Sequence, residues 1–157
     1  MKLILVGKAA AGKDFFKNKL VKKGFKAGIS CTTRPPRHNE IDGVDYHFMS
    51  EQEFKDALFD GEMLEHMVFN GWYYGLTDKE FEQADVMIMS KDGLDILPDA
   101  YRKQCIVIWL DPPRITRLER LEYRQDPNDS IIRRMNTDDK QFENFKDYEL
   151  RIKNEDF

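Results

Sequence analysis

A chain of 157 residues with 41% apolar and 34% charged side chains is sized for one domain with a core, which excludes two full domains and general disorder. Its net charge of -4, with both signs interspersed, argues against a polyanion-binding surface and so against a nucleic-acid partner. Cys31 and Cys105 are the only cysteines, too few for a disulfide or zinc framework. The apolar start MKLILVG is too short for a signal peptide or a membrane span, so a cytoplasmic chain without a membrane partner is expected.

In chain order, Leu3-Ile4-Leu5-Val6 is an unbroken apolar run closed by Gly7, which predicts a strand buried on both faces. A Gly- and Ala-rich turn follows. Helical spacing then runs over 13–23, with Phe16, Leu20 and Val21 as the inner stripe and Gly24 as the stop. Between 32 and 85 the rhythm changes. Residues 43–48 alternate like a strand of a half-exposed sheet, a helix is expected from 51 to about 59, and 63–74 reads as extended. These residues form a small α+β lobe inserted on the core, with a cleft between the two. Apolar runs predict further buried strands at 86–89 and 105–110. Pro112-Pro113 breaks the chain before a helix to about Tyr123. Asp129 or Ser130 caps another helix to about Phe145, and Leu150 with Ile152 marks a last short strand. This alternation predicts an α/β fold, a parallel sheet flanked by helices.

Between the first strand and the first helix the chain spells GKAAAGKD. Backbone N–H groups of a turn at a helix N-terminus converge on one spot, where the helix dipole favours negative charge. Gly7 and Gly12 permit the turn, Lys8, Ala9, Ala10 and Ala11 supply its backbone, and Lys13 reaches the β- and γ-phosphates of a bound nucleotide. The usual pattern continues with Ser or Thr, whose hydroxyl holds magnesium. Here Asp14 offers a carboxylate, a ligand for the metal directly or through water.

The segment Ser30-Cys31-Thr32-Thr33-Arg34-Pro35-Pro36-Arg37, then Glu40 and Asp42-Gly43-Val44-Asp45-Tyr46-His47-Phe48, resembles the substrate lobe of guanylate kinases. So do Gly61-Glu62-Met63-Leu64-Glu65-His66 and Gly71-Trp72-Tyr73-Tyr74-Gly75. Arg117-Leu118-Glu119-Arg120-Leu121 and Ser130-Ile131-Ile132-Arg133-Arg134-Met135 are similar to that family's lid, and 148–157, with Lys153-Asn154-Glu155-Asp156, to its last strand. The resemblance covers nearly the whole chain and is densest over 30–75. It implies a single domain: a P-loop NTPase-type core (about 1–31 and 86–157), a monophosphate-binding lobe (about 32–85) and a lid (about 120–135). It also implies transfer of the γ-phosphoryl of ATP, with Mg2+, to GMP or dGMP, small nucleotides being the partners.

Residue by residue, the resemblance places Lys13, Arg34, Arg120 and Arg134 at the transferring phosphate, with Arg124 and Arg133 in the same lid. Arg34 and Arg37, three apart around a Pro-Pro break, present two guanidinium forks to one dianion. Tyr46 and Tyr74 add hydroxyl donors, and Glu40 belongs to the same set. Glu65 accepts from the N1–H and exocyclic amine of guanine, a donor pair adenine lacks, while Ser30 or Thr32 donates to the guanine carbonyl. Asn154 serves the ATP side. Three positions depart from the family pattern: Asp14, Ser90 in place of an acidic residue near the acceptor, and Leu76 where relatives offer a hydroxyl to the base. A carboxylate lost at Ser90 and one gained at Asp14 would keep the charge around magnesium similar. The chain stops near its final strand, so either a monomer or a homodimer covering the open face is expected. Two other readings stand beside the leading one. One is a deoxynucleoside monophosphate kinase of different or broader base choice. The other is a phosphopeptide-binding module without catalysis, against which the retained Lys13 and loop glycines count.

Overall fold

The apolar run at the amino terminus forms the strand it predicts, and that strand organises the molecule. The computed structural model describes residues 1–125 and 130–154. Asp129, one of the two candidate caps, and Glu155-Asp156 of the final segment lie outside the described residues. The chain runs β1 (Lys2–Val6), α1 (Lys13–Lys22), β2 (Cys31–Thr32), β3 (His47–Phe48), α2 (Glu51–Phe59), β4 (Met63–Phe69) and β5 (Trp72–Thr77). It continues through α3 (Asp78–Gln83), β6 (Val86–Ile88), α4 (Lys91–Ile96), α5 (Asp99–Arg102), β7 (Cys105–Leu110), α6 (Arg114–Arg124), α7 (Ile131–Gln141) and β8 (Leu150–Ile152).

Four parallel strands in the order β6-β1-β7-β8 make the first sheet. Successive side chains point to opposite faces. Ile4 and Val6 join Met87, Val107 and Trp109 on one face, while Leu5 joins Val86, Ile108 and Leu110 on the other. Both faces are covered, which is why β1 is apolar at consecutive positions. Phe16 and Leu20 of α1 pack on the Leu5 face. Val21 does not join them: it is 41% exposed, and Lys17, at 7%, takes the inward place. The opposite face is closed by Phe142, Phe145 and Tyr148 around Trp109. Those aromatics follow α7 in a turn and the irregular segment after it, so the helix ends at Gln141 and not near Phe145.

The second sheet has the order β3-β2-β5-β4, with β2 and β3 parallel and the other pairs antiparallel. The extended stretch expected over 63–74 is a hairpin that turns at Asn70-Gly71, both with positive φ (53° and 80°), the geometry a two-residue loop requires. The strand expected over 43–48 shrinks to His47–Phe48. Asp42 takes the Phe48 N–H and Asp45 takes the Ile41 N–H, and such side-chain bonds compete with a ladder. Beneath this sheet α2, closed by a Ser50/Glu53 capping box, buries Phe54 against Tyr73. Leu76 of β5 is buried in the same core cluster as Ile4 and Met87, which ties the two sheets together. Among the described residues no helix is long and apolar enough to cross a membrane.

Candidate active site

Beyond the carboxyl ends of β1 and β6, a cleft of about 1180 Å³ separates the first sheet from the second. One wall is the loop 7–14. Gly7 is required there because a Cβ would lie 2.5 Å from the Leu110 carbonyl oxygen, a backbone atom that cannot yield. Gly12 (φ 94°) caps α1, and Ala10 holds a left-handed φ of 58°, a conformation that costs a non-glycine residue about 1 kcal/mol. Lys13 Nζ donates to the carbonyls of Gly7 (2.6 Å) and Lys8 (3.0 Å). Burial drives its ammonium down to about 8. Asp14 and Asp138 pull it back up, and the guanidiniums of Arg134 and Arg124 add to the lowering.

The opposite wall comes from the second sheet. Arg34, 5% exposed, donates to the Pro35 carbonyl (2.8 Å) and to Glu40 Oε1 (2.8 Å). Arg37 reaches the same carboxylate, through its guanidinium to Oε1 (3.4 Å) and through its backbone N–H to Oε2 (2.7 Å). Two guanidiniums thus converge on one anionic group. Burial pushes the Glu40 carboxyl up, but the bonds from Arg34 and the Arg37 amide more than reverse this, and it lies below the usual range. Tyr46 sits under Arg34 (5.4 Å to the ring) and edge-on to Tyr74. Its hydroxyl is pushed up to about 12, first by burial and then by Asp14 across the cleft.

At the far end Glu65 is 5% exposed. Burial raises its carboxyl to about 7 against one N–H bond from Leu76. Gly93 of α4 makes this position tenable, since a Cβ there would lie 2.2 Å from Glu65 Oε2. From the third side, Arg120 of α6 donates to the Ala10 carbonyl (3.1 Å), and Arg134 of α7 stacks over Phe69 at the hairpin tip (4.4 Å). Asp138 of α7 accepts the Ala9 N–H, so α7 is tied to both the loop and the second sheet.

Of the residues singled out in the sequence, Gly7, Ala9, Ala10, Ala11, Gly12, Lys13, Asp14, Ser30, Arg34, Arg37, Glu40, Tyr46, Glu65, Tyr74, Ser90, Arg120 and Arg134 line this one cleft. Lys8, Thr32 and Asn154 do not. Lys8 turns away to Asp139 (2.7 Å) and lines a smaller hollow of about 440 Å³ with Pro112, Pro113 and Arg114. Thr32 is fully buried, donating to the Tyr73 carbonyl and accepting the Arg34 N–H, so it positions Arg34 instead of meeting a ligand. Asn154 is exposed beyond β8, beside Lys153 of the smaller hollow. Ser90 caps α4, its hydroxyl accepting from the Gly93 N–H (2.9 Å). Sequence reasoning missed Lys17, Phe69, Gly93 and Asp138. Only Lys17 carries a legible signal, lying four residues after Lys13 on the same helix face.

Among the described residues there is no cluster of three or more His, Cys, Asp or Glu side chains suited to a metal ion. Magnesium at nucleotide sites keeps waters and binds through one or two carboxylates plus phosphates, and Asp14, its side chain 71% exposed at the loop, fits that donor set.

Residues 1–157 match the family model described as guanylate kinase. The guanylate kinase of Lactobacillus acidophilus is 34% identical over 145 residues, covering 83% of this chain and 69% of that protein. That of Helicobacter pylori is 32% identical over 165 residues, covering 98% and 79%. The crystal structure of guanylate kinase from Anaplasma phagocytophilum matches with a TM-score of 0.74 at 25% identity, over 99% of this chain and 77% of that one. A phosphate-type loop faces a pair of arginines across one cleft, and the similarity runs from end to end: the chain belongs to the guanylate kinase family, ATP-dependent nucleoside monophosphate kinases built on a P-loop fold.

Proposed function

We propose that this protein transfers the γ-phosphoryl group of ATP to the phosphate of GMP or dGMP. The observation that carries the reading is the placement of Lys13 and Arg34 on opposite walls of one cleft with a buried carboxylate, Glu65, at its end. In-line transfer needs two anionic nucleotides held end to end, with their repulsion offset. Lys13 and the loop backbone hold the donor phosphates. Arg34, Arg37, Tyr46 and Tyr74 hold the acceptor phosphate, whose oxygen attacks the γ-phosphorus as the bond to the ADP oxygen breaks. Glu40 keeps the two arginines converged. Arg120, Arg124 and Arg134 approach from the third side, where α6 and α7 act as the lid over a monophosphate-binding lobe formed by the second sheet. Magnesium, bound with ATP, neutralises phosphate charge there, with Asp14 and its water shell as the protein's part. The smaller hollow by Lys8, Pro113 and Lys153 suits the nucleoside end of ATP, with Asn154 at its margin.

Glu65 reads the base. Ionised, it accepts from both donors of the guanine edge. Its carboxyl lies at about 7 in the free protein, so the carboxylate is lost as pH falls through that value. The expected profile is a kcat/KM for GMP that levels above about 7, falls about tenfold per pH unit between about 7 and 6, and falls more steeply below about 6. A phosphate dianion titrates near 6, and Glu65→Gln should remove the limb near 7 and leave that lower one. An unchanged limb near 7 in Glu65→Gln would reassign the group. Gly93→Ala tests the same site by geometry. The new methyl displaces the flexible end of Glu65, while alanine favours the helix over glycine by about 1 kcal/mol. GMP binding should weaken about tenfold with no loss of melting temperature, and wild-type affinity would show that Glu65 is not placed by Gly93.

A coupled ADP-release assay with ATP, magnesium and GMP, dGMP, AMP, dAMP, dCMP or dTMP tests the function as a whole. Turnover confined to guanine nucleotides supports it. One observation favours a second reading, a deoxynucleoside monophosphate kinase of broader base choice: Leu76 is fully buried and gives Glu65 an N–H in place of a hydroxyl for a base. Comparable turnover with other bases would select that reading. No turnover with any acceptor would leave a binding module.

A further inference from the structure

Lys17 has no task in the chemistry above, yet its place is costly. It lies one turn into α1, is 7% exposed and lines the cleft beside Lys13. Among the described residues its ammonium has one partner, Asp14 Oδ1, at 3.4 Å. An ammonium carries three donors, and one long contact to a largely exposed carboxylate does not compensate for the water that burial removes. An apolar side chain at this position would fill the space at less cost to the fold, as Phe16 and Leu20 do on the same helix.

The surroundings say what the unused donors face. Asp14 and Lys17 line the same cleft as Arg34 and Tyr46, and the Asp14 charge is felt at the Tyr46 hydroxyl. Arg34 and Tyr46 form the far side of that space. A carboxylate in this position repels any phosphate brought between the walls, and a neighbouring cation removes the penalty while offering donors of its own.

We propose that Lys17 is a third cation of the acceptor-phosphate site, aimed by Asp14 from the α1 side and opposing Arg34. This rests on the nucleoside monophosphate kinase reading and adds a phosphate contact to it. In place of a neutral hydroxyl after Gly12-Lys13, this chain carries an Asp14–Lys17 couple whose cationic end meets the acceptor.

The test is equilibrium binding of GMP and of guanosine to the full chain without ATP, for wild type, Lys17→Met, Asp14→Asn and the double variant. Lys17→Met should weaken GMP roughly tenfold to a hundredfold, the range for loss of a charge-assisted bond, and leave guanosine within about twofold. Its melting temperature should be equal or higher, because a buried charge is replaced by an apolar chain. The double variant should recover only the part of the loss that comes from the exposed Asp14 charge, and should still bind GMP more weakly than Asp14→Asn by the donors Lys17 supplies. Wild-type GMP affinity in Lys17→Met overturns the proposal, as does an equal loss for guanosine. Affinity in the double variant equal to that of Asp14→Asn also overturns it, reducing Lys17 to a counter-ion of Asp14. If the wild type binds GMP but transfers no phosphoryl group, the proposed activity falls while the Lys17 result is still read. If the wild type does not bind GMP, both fall.

Discussion

Lys13→Ala is expected to reduce phosphoryl transfer by at least about 10³-fold while GMP still binds with near wild-type affinity. The reasons lie in where the ammonium sits. It is held at the mouth of the loop by the Gly7 and Lys8 carbonyls, and it is desolvated enough to titrate at about 8. A cation already stripped of water interacts more strongly with phosphate charge than a solvated one, and it needs no reorganisation as that charge shifts during transfer. Comparable single cations at transferring phosphates contribute about 10³ to 10⁵ in rate. The fold should survive, because the variant removes a charge whose burial is unfavourable. Single-turnover transfer together with a GMP binding isotherm separates the effects. Retained turnover in Lys13→Ala would remove the donor assignment from the loop. The same group sets an alkaline limit: as pH rises through about 8 the free protein loses this cation, so kcat/KM for ATP should fall above that point.

Arg34→Ala should carry the next largest effect, a loss of about 100-fold in kcat/KM for GMP with the KM for ATP nearly unchanged. Its guanidinium is buried, bonded to Pro35 and Glu40, and sandwiched near Tyr46 and Phe48. Its orientation is therefore settled before any ligand arrives, and an acceptor phosphate gains the bond without the entropy of ordering a free side chain. One charge-assisted bond is worth about 1.5–3 kcal/mol, and misalignment of the attacking oxygen adds to that. Removal also leaves Glu40, now held below the usual range, facing the acceptor with only Arg37 to neutralise it. Arg34→Lys should recover little, because a point charge cannot reproduce the fork that spans Pro35 and Glu40. Arg37, more exposed and farther from Glu40 Oε1 (3.4 Å), should matter less. Steady-state kinetics with each substrate varied in turn gives both KM values, and an unchanged acceptor KM and turnover in Arg34→Ala would move the acceptor site elsewhere.

The tie between α7 and the rest of the molecule links these two sites. Arg134 over Phe69 and Asp138 on the Ala9 amide connect one helix to the second sheet and to the loop. If Arg134 serves the transferring phosphate as proposed, its turn toward a ligand would cost the stacking on Phe69.

Much of this was legible in local sequence. The unbroken run Leu3 to Val6, the glycines and lysine of the loop, the paired arginines around Pro35-Pro36 and the alternation of strands with helices each express a short-range rule: strand periodicity, backbone freedom at a turn, or matched charge. Together with the resemblance over the whole chain, they determined the fold class and family before any coordinates. What only the tertiary structure decided is where individual side chains point. Lys17 turns inward where Val21 was expected, Lys8 leaves the loop for Asp139, and Thr32 spends its hydroxyl on Tyr73 and Arg34. Glu65 fits because Gly93, 28 residues away in sequence, has no side chain. Each of these outcomes depends on contacts between segments far apart in the chain, and the energy that selects among rotamers and burial states comes from those contacts, which local periodicity does not contain.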